Sequence, residues 1–301
     1  MRIATWNVNS LKARMERAME WLERAEPDVL LMQETKLADD DAPVLPFRMR
    51  GYELVHHGEG RWNGVAIASR LPVAQDSVIV NFGDGPVRNS AAGSDRDFAQ
   101  EDPNPFDEAR MVSAVVDGIR VVSLYAPNGR RVGSATYEGK LRWYERLRRW
   151  LDEETSVTEP LVVGGDMNVA PSDEDVWDAR AAHGGTHVSP RERDAFGALL
   201  GWGLHDAYRS LRSEPQRFTW WDYRAGNFHK NLGMRIDHLL VTPPIRDRLI
   251  WAEIDREARK GQPVPSDHAP LLIDIDEPGK PIDAGWEGAL ERIAARSRPR
   301  R

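Results

Sequence analysis

Hydrophobic and polar positions alternate at two periods along the chain, and the elements they predict are interspersed from the first residues to about position 275. Residues 3–8 read as a strand. In the segment that follows, Met15, Ala18, Met19 and Leu22 recur at the helical period, which predicts one buried helix face. The short apolar run 29–32 reads as a buried strand that carries Gln33 and Glu34 to its end. In SAVVDGIRVVSLY, Asp117-Gly118 separates two β-rich runs and suits a two-residue hairpin turn with positive φ. That pairing is antiparallel, so a purely parallel sheet is excluded. Leu141, Tyr144, Leu147 and Leu151 mark a second amphipathic helix, with Arg142, Arg146, Arg148 and Arg149 read as its solvated face. Residues 161–165, 236–242, 249–254 and 271–275 supply further strands.

Two stretches lack a period. Residues 83–108 are rich in Gly, Pro, Asn and Asp and read as an irregular surface insertion. After Pro278, Trp286 and Leu290 suit a short helix before the basic end SRPRR, in a tail expected to fray. With no internal repeat and no low-complexity linker, the simplest organisation is one domain over 1–277 followed by a basic tail, 278–301.

Composition narrows the chemistry. The 301 residues are 41% hydrophobic and 30% charged, enough for a sizeable core and a soluble surface. Cysteine is absent, which excludes disulfides, thiolate zinc sites and a cysteine nucleophile, so any metal is held by oxygen or imidazole. A formal charge of −7 argues against coating nucleic acid by bulk positive charge. No apolar run approaches the ~20 residues that span a bilayer, and the first residues contain no h-region, so the expected location is cytoplasmic.

Polar residues stand at or just beyond strand ends in five places: Asn7 with Asn9, Glu34, Asp166 with Asn168, Asp237 with His238, and Asp267 with His268. Taken singly, each reads as a turn residue or a solvated carboxylate. Convergence would make them a site. A hard divalent cation needs oxygen ligands and keeps several waters, so one or two carboxylates would suffice to hold it.

The blocks TWNVNSLKAR, QETK, LYAPNGR, GGDMNVAP, FTWWDYR, GMRIDHLL and PSDHAP run in order through this chain. Together they resemble the exonuclease III family of abasic-site endonucleases, within the endonuclease/exonuclease/phosphatase superfamily, over about Met1 to Asp276. The resemblance implies an α/β (α+β) fold: a four-layered α/β sandwich, two mainly antiparallel sheets packed face to face with flanking helices. It implies a metal-dependent enzyme using Mg²⁺, with Mn²⁺ as a substitute, and acting as a monomer on duplex DNA with abasic sites or blocked 3′ ends. Glu34 would be the principal metal ligand, with Asn9, Asp267 and Asn7 nearby. Asn9 departs from relatives that carry aspartate there. Asp166 would activate the attacking water, and Asn168 and Asn7 would donate hydrogen bonds to it or to phosphate. Asp237 would pair with His268 and favour its protonated form. Tyr125 and Asn128 would contact the same phosphate, with Arg130 beyond them in the same motif and Arg235 as a further contact.

From Arg209 to Arg235 the chain interleaves six cations with Phe218, Trp220, Trp221, Tyr223 and Phe228, a pattern that suits phosphates and stacked bases. One tryptophan of the pair is expected in the core and the other at the surface. The resemblance places Trp220, Met234 and Ile236 around a flipped abasic sugar. Met234 stands where several relatives carry tryptophan, which implies a softer pocket. Two other readings fit the superfamily: a phosphatase of small or lipid phosphates, which the aromatic and basic segment disfavours, and a nucleic-acid-binding relative without catalysis, which the full set of acidic and histidine positions disfavours.

Overall fold

The computed structural model describes residues 1–83 and 105–297. Twelve strands are present among them: β1 (Arg2–Asn7), β2 (Val29–Gln33), β3 (Glu53–His57), β4 (Val65–Ser69), β5 (Val73–Val80), β6 (Met111–Val116), β7 (Ile119–Tyr125), β8 (Leu161–Asp166), β9 (His205–Asp206), β10 (Asp237–Val241), β11 (Leu249–Ile254) and β12 (Leu271–Ile275). They form two six-stranded sheets, ordered β11-β12-β1-β2-β4-β3 and β5-β6-β7-β8-β10-β9. Each sheet is antiparallel except for one central parallel pair, β1 with β2 and β7 with β8. The hairpin at Asp117-Gly118 forms as its sequence requires, both residues at positive φ.

A parallel pair needs a crossover, and each crossover here is an amphipathic helix. Met15–Ala25 joins β1 to β2 and buries Ala18, Met19 and Leu22 on the outer face of the first sheet. Ala135–Glu154 joins β7 to β8 and buries Leu141, Tyr144, Leu147 and Leu151 on the outer face of the second, beside the helix Pro190–Trp202. Between the sheets lies the main core, where Ile3, Leu31 and Ile67 from one side meet Val121, Val162 and Leu239 from the other. Helix, sheet, sheet, helix: the four layers are those expected.

The sheets pack tightly at Gly164. A Cβ there would lie 2.6 Å from side-chain carbons of both Leu31 and Leu239. The next residue, Gly165, is equally confined, because its Cβ would meet the carbonyl oxygen of Leu124 at 1.8 Å. The GGD motif thus lets β8 run tight between its neighbours before it ends on Asp166.

Several expectations are corrected. Strands β3, β4 and β5 were not expected, nor was the short β9. Most of the irregular stretch expected over 83–108 lies outside the described residues, and Pro105–Asp107 at its end forms a 3-10 turn. The segment after Pro278 does not fray at its start: Trp286 is buried in the main core, donates its Nε1–H to Ile254 O, and has the guanidinium groups of Arg217 and Arg256 against its ring. The helix Ala289–Ser297 follows it. Among the described residues, no helix is long and apolar enough to cross a membrane.

Arg235, expected at the DNA surface, is 1% exposed. Its guanidinium binds both oxygens of Asp175 at 2.7 and 3.2 Å and Asp206 Oδ2 at 2.7 Å, which pins the loop before β8's partner strand to β9. A buried charge that loses its partners costs far more than the pair contributes. Arg235→Ala should therefore destabilise the fold by about 3–5 kcal/mol in urea titrations; a loss under about 1 kcal/mol would mean the triad carries no such charge. Arg235, against the opposing effect of burial, holds the Asp175 carboxyl down at about 2. Since this folded value lies below the unfolded one, the contribution is complete above about pH 4 and is lost as pH falls toward 2.

Candidate active site

The parallel pairs end on the same side of the sandwich, and their carboxyl ends carry the chemistry. β1 ends on Asn7, β2 delivers Glu34, β7 ends on Tyr125 and β8 on Asp166. In an open α/β sheet this is where ligands bind, because helix and strand diverge there and leave a crevice. The antiparallel neighbours feed the same place. Asp237, the first residue of β10, lies in register with Asp166, and Asp267 and His268 come just before β12.

Asn7 is the tie. Its Nδ2 donates to Glu34 Oε1 at 2.8 Å and to Asp166 Oδ2 at 3.0 Å, while its Oδ1 accepts from Asn9 N. Both amide hydrogens are directed at carboxylates. Ser266 Oγ donates to Asn7 O and accepts from His268 N, so the loop of PSDHAP is fastened directly to the end of β1. Trp6 Nε1 donates to His268 O from the residue before.

His268 Nδ1 donates to Asp237 Oδ2 at 2.8 Å, the pairing expected. Burial alone would lower the imidazole, but Asp237, with smaller help from Asp166 and Asp267, outweighs it and raises His268 to about 10. The ring is an imidazolium at neutral pH, with its Nε2 lying 3.9 Å from Asp166 Oδ2. Asp166 moves the other way for an acid: burial first, then the charge of Asp237, push it up to about 7. Glu34 stays ionised, because Lys36 and Asn7 outweigh its burial and hold it below the ordinary carboxylate value. Burial, and then the charge of Glu34, keep the Tyr125 phenol protonated well above its usual range.

Among the described residues, one group of acidic and histidine side chains could hold a metal ion: Glu34, Asp166 and His268, whose ligand atoms lie within 4.8 Å of one another. Because His268 carries a proton on its Asp237-bound ring, the donors that fit a hard cation are the carboxylates of Glu34 and Asp166. This alters the expected set. Asp267 Oδ1 accepts from Asn9 Nδ2 at 2.8 Å and its Oδ2 from Trp220 Nε1 at 3.1 Å, while Asn9 Oδ1 accepts from Lys36 Nζ at 2.7 Å. Lys36 also pairs with Glu34 at 2.9 Å. Asn9 and Asp267 thus form a flanking strap, with a lysine ammonium standing between it and Glu34.

Asn168 accepts from Asn128 Nδ2 at 3.2 Å, donates its own Nδ2 to Ala126 O, and gives its backbone N–H to Asp166 Oδ1. Asn128 and Arg130 are exposed beside it at the rim. Trp220, Met234 and Ile236 come together as expected, in an apolar cluster with Ala170, Val176 and Val188. Isolated bridges connect Val176 to Met234, Met234 to Trp220, and Trp220 to His268, so the cluster's floor runs to the imidazolium. Trp221 is in the core and Trp220 only partly buried. Of the cations of 209–235, Arg209 binds Asp175, Arg212 faces Glu214 and Glu253, Arg224 binds Asp222, Arg217 stacks on Trp286 and Arg235 is buried, while Lys230 is exposed. The arginines brace the loop rather than line a phosphate track.

Sequence reasoning did not assign Lys36, Ser266 or Thr219. All three stand inside motifs already singled out, QETK, PSDHAP and FTWWDYR. Thr219 Oγ1 accepts from the backbone of Ile236 and Asp237 at 3.0 Å, and no local pattern signals that.

The endonuclease/exonuclease/phosphatase family model matches residues 4–268. Exodeoxyribonuclease III of Haemophilus influenzae is 30% identical over 290 residues, covering 91% of this chain and all of that protein. Among solved structures, an AP endonuclease from Archaeoglobus fulgidus superposes with a TM-score of 0.80 at 33% identity, and the 3′-5′ exonuclease NExo of Neisseria meningitidis with 0.80 at 35%. Both comparisons cover 92% of this chain and 100% of the other. The chain belongs to the endonuclease/exonuclease/phosphatase family and, within it, to the exodeoxyribonuclease III branch. That family is metal-dependent, in keeping with the carboxylate pair.

The charge on His268 depends on Asp237, which gives a direct test. In the metal-free protein, NMR titration of the imidazole should show a proton retained past pH 8, whereas in Asp237→Asn burial should dominate and the ring should lose its proton below about pH 6.5. An unchanged titration in the variant would remove Asp237 as the cause.

Proposed function

We propose that the protein hydrolyses DNA phosphodiesters 5′ to abasic sites and removes blocking groups at 3′ ends, as a repair nuclease dependent on Mg²⁺ or Mn²⁺. The observation that carries this reading is the convergence of Glu34, Asp166 and the His268 imidazolium beside the Trp220, Met234 and Ile236 cluster. The names of the relatives agree with it: one of the Neisseria structures is described as a 3′ phosphatase bound to product DNA hairpin, at 34% identity.

Asp166 acts as general base. A base is most effective when its pKa is near the working pH, and about 7 meets that condition where an ordinary aspartate would not. It takes a proton from water, whose oxygen attacks phosphorus in line; the P–O bond to the 3′ oxygen breaks and that oxygen takes a proton from solvent, leaving a 3′-hydroxyl and a 5′-phosphate. The His268 Nε2–H, facing the Asp166 side of the site without a closer partner, donates to the phosphoryl oxygen as negative charge grows there. The Tyr125 hydroxyl and the Asn128 amide bind other oxygens of the same phosphate. A divalent ion held on Glu34, which stays ionised, would supply Lewis-acid stabilisation of the developing charge beside the Asp166 base. The apolar cluster accepts a sugar without its base, and extrusion is cheapest where no stacking or pairing has to be broken. A frayed 3′ end meets the same condition.

Glu34→Ala and His268→Ala should each lower cleavage of a duplex with one synthetic abasic site by about 10²–10³-fold or more, with the circular dichroism spectrum retained. Chelation should abolish turnover. Near wild-type rates in either variant would overturn the assignment. In the same assay Trp220→Ala should raise KM for the abasic duplex more than for a duplex ending in a 3′-phosphate; equal effects on both would remove the sugar pocket from the reading.

A further inference from the structure

The helix Ala135–Glu154 carries a lysine on its buried stripe. Lys140 is 0% exposed, and its ion-pair partner Glu192, in the first turn of Pro190–Trp202, is 0% exposed as well. An ion pair taken fully out of water gains little stability over a well-packed apolar pair. What it does gain here is position. The ammonium donates to Asn168 O at 2.7 Å and, more weakly, to Asn128 O at 3.4 Å. Glu192 organises a second set of donors onto the same two carbonyls. Its Oε1 accepts from His187 N at 3.0 Å and lies 3.1 Å from Thr186 Oγ1. The His187 ring then donates from Nδ1 to Asn168 O at 2.6 Å, and Thr186 Oγ1 lies 3.1 Å from Asn128 O.

Both carbonyls belong to backbone that needs holding. Asn168 is in the left-handed region, φ 51°, and Asn128 precedes Gly129 at φ 80°. Gly129 also marks the tightness of the fit, since a Cβ there would lie 3.0 Å from Lys140 Cδ. From Asn168 the constraint reaches the reacting centre in one step, because the N–H of the residue whose C=O is held by Lys140 is the donor to Asp166 Oδ1.

We propose that the Lys140–Glu192 pair is a positioning device for the hydrolysis: from behind the second sheet it fixes the Asn128 and Asn168 backbone, and with it the phosphate-facing amide of Asn128 and the orientation of Asp166. This rests on the phosphate reading of Asn128 given above. Lys140 and Glu192 touch no substrate; they act through the two asparagines.

The test is Lys140→Met with Glu192→Leu in one chain, which keeps the volume and removes both charges, alongside the isosteric Glu192→Gln. Single-turnover and steady-state cleavage of the abasic duplex are measured at saturating Mg²⁺, with activity normalised to the folded fraction from circular dichroism. The double variant also removes the acceptor of His187 N and Ser189 N, so its midpoint should fall; in its folded fraction it should bind substrate with KM within about twofold and lose about tenfold to 10²-fold in kcat, as a small misplacement of catalytic groups does. Glu192→Gln should move kcat in the same direction. A merely structural pair would lower the midpoint and leave normalised kcat alone, and kcat within about twofold of wild type in the folded double variant overturns the proposal. Asn128→Ala is assayed in parallel: if it cleaves normally, the phosphate reading is what fails, whereas a slow Asn128→Ala beside a fast double variant refutes the positioning role alone.

Discussion

One neutral amide holds the two sheets together where the chemistry gathers. Asn7 projects from the end of β1 in the first sheet and donates one hydrogen to Glu34, from the same sheet, and one to Asp166, from the other. Two carboxylates at this spacing repel, and in a buried setting neither is well solvated. An amide with two donors satisfies both without adding charge, and its own oxygen is taken by the backbone of Asn9. Behind it the tie continues inward, through Gln33 Nε2 donating to Ser123 Oγ and Ser123 Oγ donating to Met32 O, so the apolar core becomes polar in steps toward the site. A cationic side chain at position 7 would neutralise the charge that a metal ion is to meet; an apolar one would strip the tie from both acids, leaving Glu34 to Lys36 and Asp166 to the Asn168 N–H.

That tie is possible because of the chain path. The two parallel pairs are each bridged by a helix, and their ends therefore lie on one side, while the antiparallel strands β10 and β12 begin on that side and bring Asp237 and His268 to it. Close packing at Gly164 sets the distance across which Asn7 must reach. The site is a consequence of sheets that end together, and its precision comes from backbone elements rather than free loops, the arrangement that keeps catalytic groups within reach of one another.

The central elements were legible in the sequence because burial on both faces makes β1, β2, β8 and β12 short apolar runs with polar termini. The unexpected strands are mostly of another kind. β3 and β5 are edge strands, where polar residues such as Glu53 and Asp76 discourage pairing with other chains and blur the alternation that would reveal a strand. The motif residues were legible as a set, but their division of labour was not. Arg235 looks identical in sequence whether it faces DNA or is buried, since its partners Asp175 and Asp206 stand 60 and 29 residues away. Lys140 was legible in principle: it shares a helix face with Tyr144 and Leu147, and a lysine on an apolar stripe demands a partner. Its partner, 52 residues on, was not.

Two proton states in the site share one influence beside burial. Asp237 lies across the ladder from Asp166 and hydrogen-bonds His268, so its charge raises both groups, and the two responses have opposite chemical meaning. For the acid, a higher pKa creates a base strong enough to take a proton from water near neutrality. For the imidazole, it secures a donor that stays charged as phosphate oxygen gains negative charge. Asp237 is paired with the His268 ring through Oδ2, while its buried Oδ1 has no hydrogen-bond partner among the described residues. A donor placed on that oxygen would stabilise the carboxylate and weaken its effect on both neighbours at once.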